Sequence, residues 1–191
     1  MPTTNLRLEE KYKKEVIPIL KKAFGIKNDL AVPRIIKVVV NVGIGKYLNN
    51  LSANADKEKT LEQLKKAVSL ITGQWPMETR AKKSISGFKA RKGAVVGLKV
   101  TLRRKRMYDF LERLIKIVLP RVRDFRGLPL KNFDQNGNLN IGLKELAVFP
   151  EVALLDIARQ IGAEITVVPY AKNQKEAIEL FKQLGFPIKF Q

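Results

Sequence analysis

The stretch "RIIKVVVNVGIG", residues 34–45, decides the architecture. One parity, Ile36, Val38, Val40, Val42 and Ile44, is wholly apolar, while the other reads Ile35, Lys37, Val39, Asn41 and Gly43. Successive strand side chains point to opposite faces, so the segment predicts a strand with one oily side and one side of cations, hydrogen-bonding groups and glycine. "VVGLKVTLR", residues 95–103, divides the same way, with Val96, Leu98, Val100 and Leu102 against Val95, Gly97, Lys99, Thr101 and Arg103. Two such strands predict an antiparallel β-sheet with helices packed on one face and an exposed polar, basic face.

The helices are read from apolar periodicity. Leu8, Tyr12, Val16, Leu20 and Phe24 recur every four residues and predict a helix that ends at Gly25 and bends at Pro18, where a backbone donor is missing. A second helix follows Asp56, carried by Leu61, Leu64, Val68 and Ile71 and closed by Gly73. A third runs from about Met107 to Leu119 on Phe110, Leu111, Leu114 and Val118, stopped by Pro120. Downstream, Asn136-Gly137 signals a turn, and a helix is expected from Pro150 through Ile157 and Ile161 to Gly162. "EITVVPYA" reads as a strand, and Asn173 with Glu176 resembles a capping pair ahead of Ala177, Leu180, Phe181 and Leu184. Strands and helices mix without regular βαβ repetition, so the expected class is α+β, in a single domain over residues 1–191.

A chain of 191 residues with 45% apolar side chains is large enough to bury a core. It has neither cysteine nor histidine, which removes disulfides, thiolate catalysis, sulfur and imidazole metal ligands and the commonest general base. No enzyme, metal site or cofactor is expected. "MPTTNLRLEE" lacks the apolar centre of a secretory signal, and no run approaches the roughly 18 apolar residues of a membrane span. The expectation is a soluble intracellular protein with no membrane partner.

Charge points to the partner. The net charge is +19, and residues 79–126 alone hold 16 basic and 3 acidic side chains, whereas residues 127–191 balance at 7 and 7. Cations concentrated in a quarter of the chain fit a polyanion, nucleic acid or an anionic membrane. On the predicted polar face Lys37, Lys99 and Arg103 suit phosphates, Asn41 and Thr101 suit phosphate or 2′-hydroxyl oxygens, and Gly43 and Gly97 leave room for a backbone to approach. "RAKKSISGFKARKG", residues 80–93, carries Arg80, Lys82, Lys83, Lys89, Arg91 and Lys92 and no acid. Gly87 and Gly93 oppose a stable helix, and Ile85 and Phe88 form no continuous stripe, so a mobile basic loop reaching a phosphate backbone is expected, with Phe88 able to stack.

Two further motifs are less decisive. "NVGIGK" is not a Walker loop, since Val40 stands where its first glycine belongs and Tyr47 where Ser or Thr belongs; Leu48 breaks the dinucleotide fingerprint. In "LPRVRDFRGL", residues 119–128, Asp124 among Arg121, Arg123 and Arg126 fits either a structural ion-pair cluster or a set of phosphate forks.

Taken together, "VPRIIKVVVNVGIG", "ITGQWPMETRAKKSISGFKARKG", "GLKVTLR", "RMYDFLERLIKIVLPRVRDFRGL", "NFDQNGNLNIGLKE", "FPE" and "LGFPIKF" resemble the universal large-subunit ribosomal protein family that binds 5S rRNA, bacterial ribosomal protein L-five. The resemblance implies a structural constituent of the central protuberance. It implies 5S rRNA contacts at Lys37, Asn41, Gln74 and Thr101, to which the polar parity adds Lys99 and Arg103. It also implies that Arg80, Lys82, Lys83, Ser84, Phe88, Lys89, Arg91 and Lys92 belong to a loop touching P-site tRNA. The implied partners include large-subunit rRNA and neighbouring ribosomal proteins, one of them in the small-subunit head. Cytoplasmic ribosomes are the expected location. The competing reading is a sequence-indifferent nucleic-acid chaperone. Arg104, Gln135 and Leu146 depart from the family's usual glycine, glycine and glutamine.

Overall fold

The computed structural model describes residues 7–51, 54–84 and 91–189. In chain order the regular elements are α1 (Leu8–Lys11), a π turn (Tyr12–Val16), α2 (Ile17–Phe24), β1 (Arg34–Gly43), α3 (Gly45–Asn49), α4 (Asn54–Thr72), β2 (Met77–Arg80), β3 (Val95–Leu102) and α5 (Arg104–Arg113). They continue with a second π turn (Leu114–Val118), α6 (Leu119–Arg121), β4 (Leu128–Pro129), β5 (Leu139–Leu143), α7 (Asp156–Gln160), β6 (Ala163–Tyr170), α8 (Gln174–Leu184) and β7 (Ile188–Lys189). Five strands form an antiparallel sheet in the order β2-β3-β1-β6-β5, and β4 pairs in parallel with β7. The fold is α+β, as the alternation predicts.

The chain packs as two compact units. The first comprises the chain up to Val38, Leu102–Ile141 and the chain from Thr166 onward. Its core is built from Val16 and Leu20, from Phe110, Leu111 and Leu114, and from Leu180, Phe181 and Leu184, all buried. The Phe181 ring meets those of Phe133 and Phe186 edge-on, with centroids 5.5 and 5.1 Å apart. The Tyr12 hydroxyl donates to the Pro33 carbonyl at 3.0 Å, and the Arg34 guanidinium lies 5.4 Å from the centre of the Tyr170 ring. The second unit comprises Val39–Thr101 and Gly142–Ile165. Its buried set is Val40, Val42 and Ile44, Leu98 and Val100, and Leu64, Ala67, Val68 and Ile71 of α4.

Pro18 and Pro120 each stand second in the helical segment that follows a π turn. A helical proline cannot donate to the carbonyl four residues back, and its ring collides with it. The wider π turn relieves that collision, at Lys14 for Pro18 and at Lys116 for Pro120. Pro120 therefore does not stop the third helix, which continues to Arg121.

Other expectations are corrected locally. Ile36 is 39% exposed and Ile35 is buried, so the alternation of β1 slips at Ile36-Lys37 and is regular only from Val38. The helix expected from Pro150 is instead a 3-10 turn (Pro150–Val152) followed by the separate α7. The cap of α8 is half formed: Glu176 accepts from Lys172 N–H at 3.0 Å, but the Asn173 side chain makes no capping bond. At Asn136-Gly137 the turn is held by Asp134, whose carboxylate accepts from the N–H groups of Asn136 (2.9 Å) and Asn138 (2.7 Å).

Candidate nucleic-acid interface

On β3 the two parities differ in exposure from Leu98 onward. Leu98, Val100 and Leu102 are buried, whereas Lys99 and Arg103 are exposed and Thr101 is half-exposed. On β1, Val38, Val40 and Val42 are buried, Asn41 and Gly43 are exposed, and Lys37, at the same parity as Asn41, is half-exposed. Within the second unit, Asn41, Lys99 and Thr101 therefore turn away from the core.

β2 adds residues that sequence reading missed. It pairs antiparallel with β3 in the register Met77↔Lys99, Glu78↔Leu98 and Thr79↔Gly97. Opposite residues share a face, so Met77 and Thr79 lie on the polar side with Lys99 and Gly97. Glu78 lies on the other side, where it pairs with Lys65 of α4 at 2.8 Å. A Cβ added at Gly97 would stand 2.7 Å from Thr79 Oγ1, 3.1 Å from the Val42 carbonyl oxygen and 3.8 Å from Asn41 Oδ1. Gly97 thus admits the Thr79 side chain and the neighbouring strand, not an RNA backbone. Gly43 has nothing within 4 Å and remains open.

Gln74 is placed by a residue no motif indicated. The buried Thr72 hydroxyl closes α4: it lies 2.8 Å from the Val68 carbonyl oxygen and 2.9 Å from that of Gln74, and it accepts from Gln74 N–H at 3.3 Å. Gly73 supplies the left-handed φ of 67° that ends the helix. The backbone of Gln74 is thereby pinned one short turn ahead of β2.

The basic loop begins as an extension of the β2-β3 hairpin. Ala81 N–H donates to the Ala94 carbonyl and Gly93 N–H to the Ala81 carbonyl, each at 2.9 Å, and Lys92 N–H donates to Ser84 Oγ at 3.0 Å. Lys82, Lys83, Ser84, Arg91 and Lys92 are exposed. Arg80 is tied down at the base, with one nitrogen 2.7 Å from Glu78 Oε2 and another donating to the Gly93 carbonyl at 3.4 Å. Phe88 and Lys89 lie outside the described residues.

Electrostatics around the hairpin are settled by Glu78. The hydrogen bond from Lys65 holds its carboxyl below the ordinary 4.5; burial opposes that shift, and Arg80 reinforces it. In the first unit Arg121, Arg123 and Arg126 are exposed, and among the described residues none forms an ion pair with Asp124. The ion-pair alternative for that loop is therefore not realised. Of the departures, Arg104 takes a left-handed φ of 52°, which explains the glycine usual there, and Leu146 is buried, with its N–H donating to the Ile161 carbonyl at 2.9 Å. Among the described residues, no three His, Cys, Asp or Glu side chains come together as a metal site, and no helix is long and apolar enough to cross a membrane.

Hydroxyl, amide and ammonium groups are thus exposed on β1 and β3, beside a cationic hairpin. Residues 28–91 match the family model described as Ribosomal protein L5, and residues 95–188 match the model that describes the C-terminus of the same ribosomal family. This is a ribosomal protein, not an enzyme. "Large ribosomal subunit protein uL5" of Streptococcus thermophilus is 46% identical over 181 residues, covering 95% of this chain and 97% of the relative. The proteins of the same name from Desulforapulum autotrophicum and Carboxydothermus hydrogenoformans are 47% and 45% identical, each over 95% of this chain, with 98% and 97% of the relative covered. The chain belongs to the ribosomal protein L5 family.

Proposed function

We propose that this protein is a constituent of the large subunit of cytoplasmic ribosomes that seats 5S rRNA on Asn41, Gln74, Lys99 and Thr101, together with Lys37 of β1 and Arg103 just after β3. The observation that carries this reading is the outward parity of Asn41, Lys99 and Thr101 on two adjacent strands of a family member. Folded RNA is recognised by shape, backbone and 2′-hydroxyls, which is the chemistry these groups supply. The hairpin loop of residues 80–93 reaches P-site tRNA through Lys82, Lys83, Arg91 and Lys92.

Binding of 5S rRNA by Asn41→Ala and Thr101→Ala, against an unrelated structured RNA of similar length, tests the assignment. Both variants should melt like the wild type and lose affinity for 5S rRNA selectively. Neutralising about six phosphates gives a log–log salt slope of roughly 4 to 5. Lys99→Ala should lower that slope by about 1. Equal affinity of the wild type for the two RNAs would favour a sequence-indifferent chaperone instead.

A further inference from the structure

The chain has one tryptophan, and it is not in the core: Trp75 is 54% exposed. Met77 is 66% exposed, and Pro76 between them is buried. That alternation gives Trp75, Met77 and Thr79 one parity. Thr79 faces Gly97 and Met77 faces Lys99, and Trp75 stands two residues ahead of Met77, just before the strand begins. β2 is the outermost strand of its sheet, so an indole and a thioether line the rim of the polar face beside Gln74.

We propose that Trp75, flanked by Met77, is a stacking platform for an unpaired nucleobase of the bound RNA. The proposal rests on the 5S rRNA reading above and adds a residue that neither parity nor resemblance assigned. An exposed indole is a large flat apolar surface with one polar edge, suited to a partner that is flat and partly polar. Its surroundings select RNA over protein. The residues around it carry hydroxyl, amide and ammonium groups: Gln74 immediately before it, Thr79 at the same parity of β2, and Lys99 opposite Met77. Those groups are the ones that hold phosphate and sugar while a base lies on an aromatic face. The base must be unpaired, because a duplex hides both faces of its bases in its own stack. Every base has a π face, so the contact adds affinity and fixes position without reading sequence.

A single tryptophan makes the test direct. The full-length protein titrated with 5S rRNA should show quenched indole emission that follows the binding isotherm measured separately by filter retention. Trp75→Ala should weaken 5S rRNA binding by roughly 5- to 150-fold, the range for loss of one base stack. Trp75→Phe should keep most of the affinity, and Trp75→Leu, apolar but without a π face, should resemble Trp75→Ala. Circular dichroism melts verify that each variant folds. Unchanged emission on RNA binding, or a Trp75→Leu protein that binds like wild type, would overturn the proposal while leaving 5S rRNA recognition intact. So would a Trp75→Ala protein that keeps its RNA affinity but no longer binds a neighbouring ribosomal protein. A wild type with no preference for 5S rRNA, with Asn41→Ala equally indifferent, would instead overturn the underlying reading.

Discussion

The Thr79 hydroxyl occupies the space that a Gly97 side chain would need: a Cβ at Gly97 would lie 2.7 Å from Thr79 Oγ1, with the Val42 carbonyl oxygen 3.1 Å away on the other side. The β2-β3-β1 portion of the sheet therefore depends on a missing methyl group. Gly97→Ala should destabilise the protein by about 1 to 3 kcal/mol, as overpacking does. Adding Thr79→Ala should restore part of the loss but not all of it, because the backbone contact to Val42 persists. Urea denaturation of the single and double variants checks both steps.

Arg104→Gly should act in the opposite direction. The left-handed conformation costs a side chain about 1 to 2 kcal/mol, and the extra freedom of glycine in the unfolded chain returns about 0.5 to 1 of that. A net gain of about 0.5 to 1 kcal/mol is expected. A denaturation midpoint unchanged or lowered in Arg104→Gly would contradict the strain argument.

The Lys65–Glu78–Arg80 cluster predicts acid sensitivity at the foot of the hairpin. The Glu78 carboxyl is held below 4.5 in the folded protein, so its contribution to stability is fully present above that value and disappears as the pH falls through the lowered folded value. Glu78→Gln should melt below the wild type at pH 7 and approach it as the buffer is taken below 4. A constant difference in melting temperature across that range would show that the ionisation is not what matters.

Removing residues 82–92 should separate two activities. Ala81, Gly93 and Ala94 would then form a three-residue loop between the paired Arg80 and Val95, a length that closes a β-hairpin. Affinity for 5S rRNA should persist, while retention of P-site tRNA by reconstituted ribosomes should fall. Loss of both would mean that the loop also carries 5S rRNA contacts.

The polar face was legible because a period of two is written directly into "VVVNVG" and "GLKVTL", where each residue's side follows from its neighbours. Thr79, Trp75 and Met77 were not legible in that way. "METR" has no alternation of its own and becomes a strand only by pairing with β3, so its facing depends on a tertiary register. Thr72 was hidden for a similar reason, since a threonine before a glycine gives no sign that its hydroxyl will hold the backbone of Gln74. The first π turn did leave a trace. Leu8, Tyr12, Val16 and Leu20 are spaced by four, wider than the 3.6 residues of an α-helical turn, and such a row keeps to one buried side only if a turn widens.

The paired prolines also constrain how this family can change in length. A π turn holds one residue more than the turn it replaces, so the segments ahead of Pro18 and Pro120 have each absorbed the equivalent of an insertion. Deleting one residue from Tyr12–Val16 alone would bring the pyrrolidine back against a carbonyl, whereas the same deletion combined with Pro18→Ala would restore an ordinary helix. Homologues lacking a proline at either position should therefore be one residue shorter just upstream of it.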